Sequence, residues 1–359
     1  MGNRRRVVAV VVAVVVLATL VVAGRQLWRE RHRSDLSRAL DVVPAGTERL
    51  TFTDWSGVRT ALRANLSASS DPAAIQSLVD RAYDADLSAA AVTGRSAVDL
   101  QKFFGFSAAT IDWEAYGQGP KGAALVLRMP DSFDLGTVED HLAKLGFTRP
   151  KISTGVWLGG TDLVAALNPD DPITPELQYV AVLADRGLVV ASDSAEYADE
   201  AAASALGKVK SLGDVAGVRA VVKPVSDPVA ATVWAGDFAC TDLAMSEADQ
   251  DAQDQAATLV ARAGKVSPLS GLVMAMAGDR TLTVSELFES SDSAKTNLAS
   301  RAKLAVGEAP GRFSSFSDDL TLTSSQTKGA TVQLTFKPKE KTGAVLSLVD
   351  SGPVLFATC

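Results

Sequence analysis

The sequence predicts an α+β fold with mostly antiparallel sheets and packed helices. Three observations carry that expectation. Apolar runs come in pairs around tight turns: "LQYVAVLADRGLVVASDS" (177–194) turns at Asp185-Arg186-Gly187, and "GLVMAMAGDRTLTVSELFESSDS" (271–293) turns at Gly278-Asp279-Arg280. Each pair runs into a helical stretch, "AEYADEAAASAL" (195–206) and "AKTNLASRAKLAV" (294–306). Hairpins outnumber strand–helix–strand crossovers, which favours antiparallel pairing. With 359 residues, 47% hydrophobic and 21% charged, the chain has enough apolar content for one large core or two smaller ones.

The N-terminus is of a different kind. After "MGNRRR" (1–6), a basic tail, comes "VVAVVVAVVVLATLVVAG" (7–24), uncharged and with only Thr19 polar, which is long enough to span a bilayer as a helix. Core helices are rarely apolar on every face, so a membrane span is the better reading. A cleaved secretory leader is the alternative, because Val21 and Ala23 precede Gly24 at a small-residue site. The length of the run and the arginines that follow it favour an uncleaved anchor.

Three arginines precede the run and four follow it, so arginine count alone leaves orientation nearly balanced. The short leading tail and the two cysteines of the long C-terminal portion favour a type II arrangement, with residues 41–359 extracytoplasmic. The lack of a cysteine just after the run excludes a bacterial lipid anchor, and the sixth residue is not the Ser or Thr of a myristoylation motif. Residues 1–33 hold seven arginines against Glu30, so a chain at −7 leaves the remainder at −13. A folded part this acidic repels phosphate backbones, and no nucleic-acid partner is expected.

Residues 25–40, "RQLWRERHRSDLSRAL", read as a basic juxtamembrane linker, helical or simply solvated. The folded part then opens with "VVPAGTERLTFTDW" (42–55), in which "ERLTFTD" alternates as a strand, followed by a helical "WSGVRTALRANL" (55–66). Asp54 fits a helix N-cap and Trp55 a core anchor. Pro44, Thr47, Phe52, Thr53, Asp54 and Trp55 in this segment resemble the start of the exported domain in actinomycete single-pass, envelope-anchored proteins. That resemblance covers about a dozen residues and the order of anchor and domain; it implies a compartment and no activity.

The two hairpin-and-helix units share "DR" at the turn and "SDSA" at the helix start, Ser192–Ala195 and Ser291–Ala294. Helix capping explains the tetrapeptide by itself. Duplication into two related α+β halves, 41–206 and 207–359, is the division the pattern suggests.

Motifs that invite a chemistry fail on context. "GQGPKG" (117–122) has dinucleotide-loop spacing, but such a loop follows a strand and opens a helix. Here "SAATIDW" (107–113) reads as helical, the glycines run into the strand "AALVLRM" (123–129), and Pro120 removes an amide donor, so the stretch is a turn. Ser325-Gln326-Thr327-Lys328 and Lys341-Thr342-Gly343 match two penicillin-binding signatures, yet "SSQTKG" (324–329) reads as a polar turn and the third signature is missing. His32 and His141 are the only histidines, and no nucleophile sits in a recognisable elbow.

Two cysteines and one usable histidine do not make a zinc site. "EADQDAQDQAAT" (247–258) lacks the central glycine and final glutamate of a calcium loop, and Ser246 with Asp249 fits a helix cap. No catalytic residue, cofactor or metal is assigned. A carboxylate-only hydrolase stays open, since any two of 42 acids could converge in the fold.

Cys240 and Cys359 are the only cysteines, and an even count in an exported domain predicts a structural disulfide pinning "PVLFATC" (353–359) to "GDFAC" (236–240). The expected function is a membrane-anchored extracytoplasmic protein, non-catalytic, that binds an envelope protein, lipid or polymer. An accessory subunit of a membrane complex and a carboxylate-dependent envelope hydrolase are the alternatives.

Overall fold

The computed structural model describes residues 33–89, 91–339, 346 and 352–359. The apolar run 7–24, its basic flanks up to residue 32 and Lys341-Thr342-Gly343 lie outside the described residues. Among the described residues no helix is long and apolar enough to cross a membrane.

The fold is α+β, and among the described residues every strand pairing is antiparallel. Eleven strands form one sheet: β1 (Arg49–Asp54), β2 (Trp113–Gly119), β3 (Gly122–Arg128), β4 (Val156–Leu158), β5 (Tyr179–Leu183), β6 (Leu188–Ser192), β7 (Ala230–Ala235), β8 (Gly271–Met276), β9 (Leu282–Leu287), β12 (Leu320–Lys328) and β13 (Thr331–Pro338). A small ribbon pairs β10 (Glu308–Ala309) with β11 (Phe313–Ser315). The order across the large sheet is β12-β13-β9-β8-β7-β1-β2-β3-β6-β5-β4.

Alternation along the strands explains why this sheet must be covered on both faces. In β3, Leu125 and Leu127 enter one core while Ala124 and Val126 enter the other; β8 splits Leu272, Met274 and Met276 from Val273 and Ala275. The first face is covered by helices Trp55–Ala61, Pro72–Asp84, Ala97–Phe104, Gly136–Leu145, Gln250–Ala263 and Ser291–Leu304, with the terminal Val354–Ala357 tucked beside them. The second face is covered by Asp35–Ala39, Ala195–Ala205 and Val218–Val222. Leu36, Ala39 and Leu40 are buried there, so the folded part begins inside the segment read as a linker.

β1 and β7 are the centre, paired with Thr51 opposite Thr232. Outward from them the order is β1-β2-β3-β6-β5 on one side and β7-β8-β9-β13-β12 on the other, with β4 added at the first edge. By position, then, hairpin β8–β9 corresponds to β2–β3, and β12–β13 to β5–β6. The two units sharing "DR" and "SDSA" do not occupy corresponding places. Their serines also differ in use: Ser194 caps Ala195–Ala205, whereas Ser290 caps Ser291–Leu304 and leaves the second "SDSA" inside the helix.

Asp54 caps Trp55–Ala61 by accepting the Gly57 N–H at 2.8 Å, and Trp55 is fully buried. Residues 107–113 are not helical: Ser107–Thr110 is a turn held by the hydroxyls of Ser107 and Thr110, and Trp113 already opens β2. "SSQTK" is strand rather than turn, continuing β12 to a turn at Gly329-Ala330. Asp249 alone caps Gln250–Ala263, accepting the Ala252 N–H, while Gln253 reaches back to the Ser246 carbonyl.

Candidate functional site

Where β1 ends and β2 begins, on the side that receives residue 33, lies a cleft of about 630 Å³. The entering segment contributes Arg33, Asp35, Arg38 and Asp41. The hairpin ends contribute Asp112, Arg128, Asp131 and Arg186, and the apolar lining includes Trp113 and Leu188. Most of the charges are paired: Arg33 and Arg219 both bond Asp41, Arg38 meets Asp35 at 2.8 Å, and Arg128 meets Asp131 at 2.6 Å. Exposed pairs of this kind contribute little to stability, so the arrangement orients side chains more than it holds the fold. Arg186 is exposed and carries no ion pair among the described residues.

Two carboxyls at this end of β1 and β2 are perturbed, Asp54 behind the cleft and Asp112 in its lining. Burial pushes Asp54 up to about 6, against the Gly57 N–H that holds it down. Asp112 is raised by burial as well, with Arg59 and Arg128 opposing. Arg59 is itself fixed by donating to the carbonyls of Ala108 at 2.7 Å and Ile111 at 2.9 Å.

The second polar region runs along the centre of the first face. Outer strands place Leu, Val and Met there, whereas β1 presents Arg49, Thr51 and Thr53, β2 presents Glu114, Tyr116 and Gln118, and β7 presents Thr232. Glu114 accepts from the Trp55 indole, the Thr93 hydroxyl and the amides of Val92 and Thr93, which fastens the 84–96 loop over the sheet. Tyr116 donates to Glu176 at 2.8 Å. The hydroxyls of Thr51 and Thr53 are buried without a hydrogen bond.

This polar seam ends, at the opposite end of β1 from the first cleft, in a smaller one of about 320 Å³. Glu48, Arg49, Gln118, Gly119, Pro120, Phe238 and Asp242 line it. Of "GQGPKG", Gly117–Gly119 close β2 and Gly122 opens β3, so the hairpin turn is Pro120-Lys121, and Gln118, Gly119 and Pro120 form part of a cleft wall. A Cβ at Gly119 would stand 2.3 Å from the Gly46 carbonyl oxygen, so glycine there serves a close backbone approach.

Cys240 and Cys359 are disulfide-bonded, with Cα atoms 5.4 Å apart. His141 lies on helix Gly136–Leu145, its Nδ1 2.8 Å from the Phe103 carbonyl oxygen, and serves packing. Among the described residues no group of three or more His, Cys, Asp or Glu is placed to hold a metal. The seam residues were missed in the sequence because "ERLTFTD" alternates like a strand with one solvated face, and only the covering helices turn Thr51 and Thr53 inward. No family model, curated protein or solved structure matches the chain.

Proposed function

We propose that the chain is a membrane-anchored extracytoplasmic protein, held by residues 7–24, whose folded part binds an envelope protein, lipid or polymer without transforming it. The carrying observation is the state of the four carboxylates in the 630 Å³ cleft: Asp35, Asp41 and Asp131 are each already engaged by arginine, and Asp112 is raised by burial. Glycoside hydrolysis needs a protonated carboxyl and a free ionised one across the substrate; the carboxylates near the raised Asp112, Asp35 and Asp131, are tied to Arg38 and Arg128, and a wall of alternating fixed charges suits recognition. The disulfide supports the compartment, because such bonds persist outside the reducing cytosol. The matching strand order on the two sides of the β1–β7 pair supports an origin by duplication, with 41–206 and 207–359 as the halves.

The reading also agrees with the resemblance of residues 44–55 to envelope-anchored proteins. Two measurements test it. Protease added to spheroplasts should digest or release residues 41–359; full protection of that region overturns the orientation. A photo-crosslinker in place of Arg186 should capture a discrete envelope component in native membranes, and the same probe at exposed Ile152 should not. Equal capture from both positions overturns the assignment of the cleft. Stoichiometric recovery with other membrane proteins would favour an accessory subunit instead.

A further inference from the structure

The seam cleft at the far end of β1 has a chemistry distinct from the arginine–aspartate cleft. We propose that it is a binding site for a neutral, hydroxyl-rich ligand, a saccharide unit. This cleft is built entirely from residues of the folded part and does not depend on residues 7–24 holding the chain in a membrane.

The lining supplies what a sugar ring requires. A pyranose has a rim of hydroxyls, each both donor and acceptor, and C–H faces that are effectively apolar. Glu48 and Asp242 offer carboxylate acceptors, and the Gln118 amide offers both a donor and an acceptor. The half-buried Phe238 ring and Pro120 provide the apolar surface for a C–H face. A volume of about 320 Å³ is at the small end of ligand sites, enough for a ring-sized group.

The site is also set in place before any ligand arrives, which lowers the ordering cost of binding. Arg49 stacks 5.7 Å above the centroid of Trp234, whose indole donates to Asp242 at 2.6 Å. Guanidinium, ring and carboxylate therefore form one fixed chain. On the opposite wall the end of β2 is tied to the strand entry: the Glu48 N–H donates to the Gln118 carbonyl at 2.8 Å, and Gly119 admits the close approach of Gly46. The neighbouring seam position on β1 holds the Thr51 hydroxyl, buried and without a hydrogen bond.

Charge separates this ligand class from anions. Two carboxylates against one guanidinium leave the lining negative, which disfavours phosphates and nucleotides despite the glycine spacing of the turn.

The test uses the full-length chain in detergent with chitotriose, maltotriose and xylotriose as probes, followed by ligand-observed NMR. At least one probe should bind saturably with a dissociation constant of ~1 mM or tighter. Gln118→Ala and Glu48→Gln should each weaken that binding roughly tenfold, the loss of about one good hydrogen bond, with an unchanged melting temperature. Arg186→Ala, in the other cleft, should leave it unaffected. The proposal is overturned if none of the three probes binds, if binding ignores both seam substitutions, or if inorganic phosphate competes at equal concentration.

Discussion

The indole Nε1 of Trp55 donates to Oε2 of Glu114 at 3.0 Å, joining two residues 59 positions apart that are both withdrawn from water. Trp55 opens the first helix after β1, and Glu114 stands on the neighbouring strand across from Thr53. The bond therefore fixes the helix to the sheet, and the same carboxylate holds the 84–96 loop through Val92 and Thr93. A buried carboxylate is tolerated here because donors reach both of its oxygens.

Glu114→Gln places an amide NH₂ where a donor already points, so one hydrogen bond is lost whichever way the amide turns. The expected cost is roughly 1–3 kcal/mol in urea unfolding. Burial raises the Glu114 carboxyl and its four donors oppose the shift. If Glu114→Gln matched the parent in stability, the donor network would not be holding the loop.

Asp54 separates capping from charge. Its carboxylate caps the helix, yet burial lifts it from 3.8 to about 6. A raised folded value favours the protonated form, so its contribution to stability is full below 3.8 and declines as pH rises through about 6. Asp54→Asn keeps a good cap and removes the titration; it should be as stable as the parent or more so at pH 7.5, with a flatter profile between pH 4 and 6. Asp54→Ala also removes the titration and loses the cap, so it should lie ~1 kcal/mol below Asp54→Asn at every pH. Thermal melts of the three proteins at pH 4.5 and 7.5 check this, and parallel profiles for Asn and parent would refute the raised value.

What was legible in the sequence was local. The hairpins at 177–194 and 271–293, the Asp54 cap and the burial of Trp55 each depend on residues within a few positions of one another. The β1–β7 pairing joins strands some 180 residues apart, and nothing in either strand specifies its partner. Helix Ser291–Leu304 shows why a buried face can escape notice: it turns Ala294, Asn297, Ser300, Arg301 and Leu304 inward, a stripe too polar to read as a core face. Both clefts, likewise, are assembled from segments distant in sequence, so their residues resembled ordinary surface charges.

The Cys240–Cys359 bond closes a loop of 119 residues, for which chain entropy gives up to ~5 kcal/mol. Cys359→Ser should lower unfolding free energy toward that limit. The terminal segment should nevertheless remain docked, because Val354 donates to the Leu243 carbonyl at 3.1 Å and Leu355 and Phe356 are buried. Hydrogen exchange is the check: protection at residues 354–357 should fall without vanishing, and complete loss would make the disulfide the sole restraint.

Arg301 is the other restraint on that segment. It is fully buried and donates to the carbonyls of Phe356 at 2.8 Å, Thr358 at 2.6 Å and Ser267 at 2.6 Å. Its charge is met by Glu286 at 3.7 Å, whose carboxylate oxygens accept no hydrogen bond. Burial therefore outweighs the attraction of Arg301 and lifts Glu286 from 4.5 to about 7. With the folded value raised, the Glu286 contribution is full below 4.5 and is lost as pH climbs through about 7. Glu286→Gln should thus lose ground to the parent at pH 5 and recover it by pH 8. Arg301→Met strands three carbonyls and an unpaired acid, for a cost of roughly 3–5 kcal/mol that grows with pH. Adding Glu286→Leu to Arg301→Met should restore part of the loss at pH 8, since the lone buried carboxylate is then gone. Urea unfolding at pH 5 and 8 measures all three, and an identical pH slope for parent and Glu286→Gln would show that Glu286 does not titrate in this range.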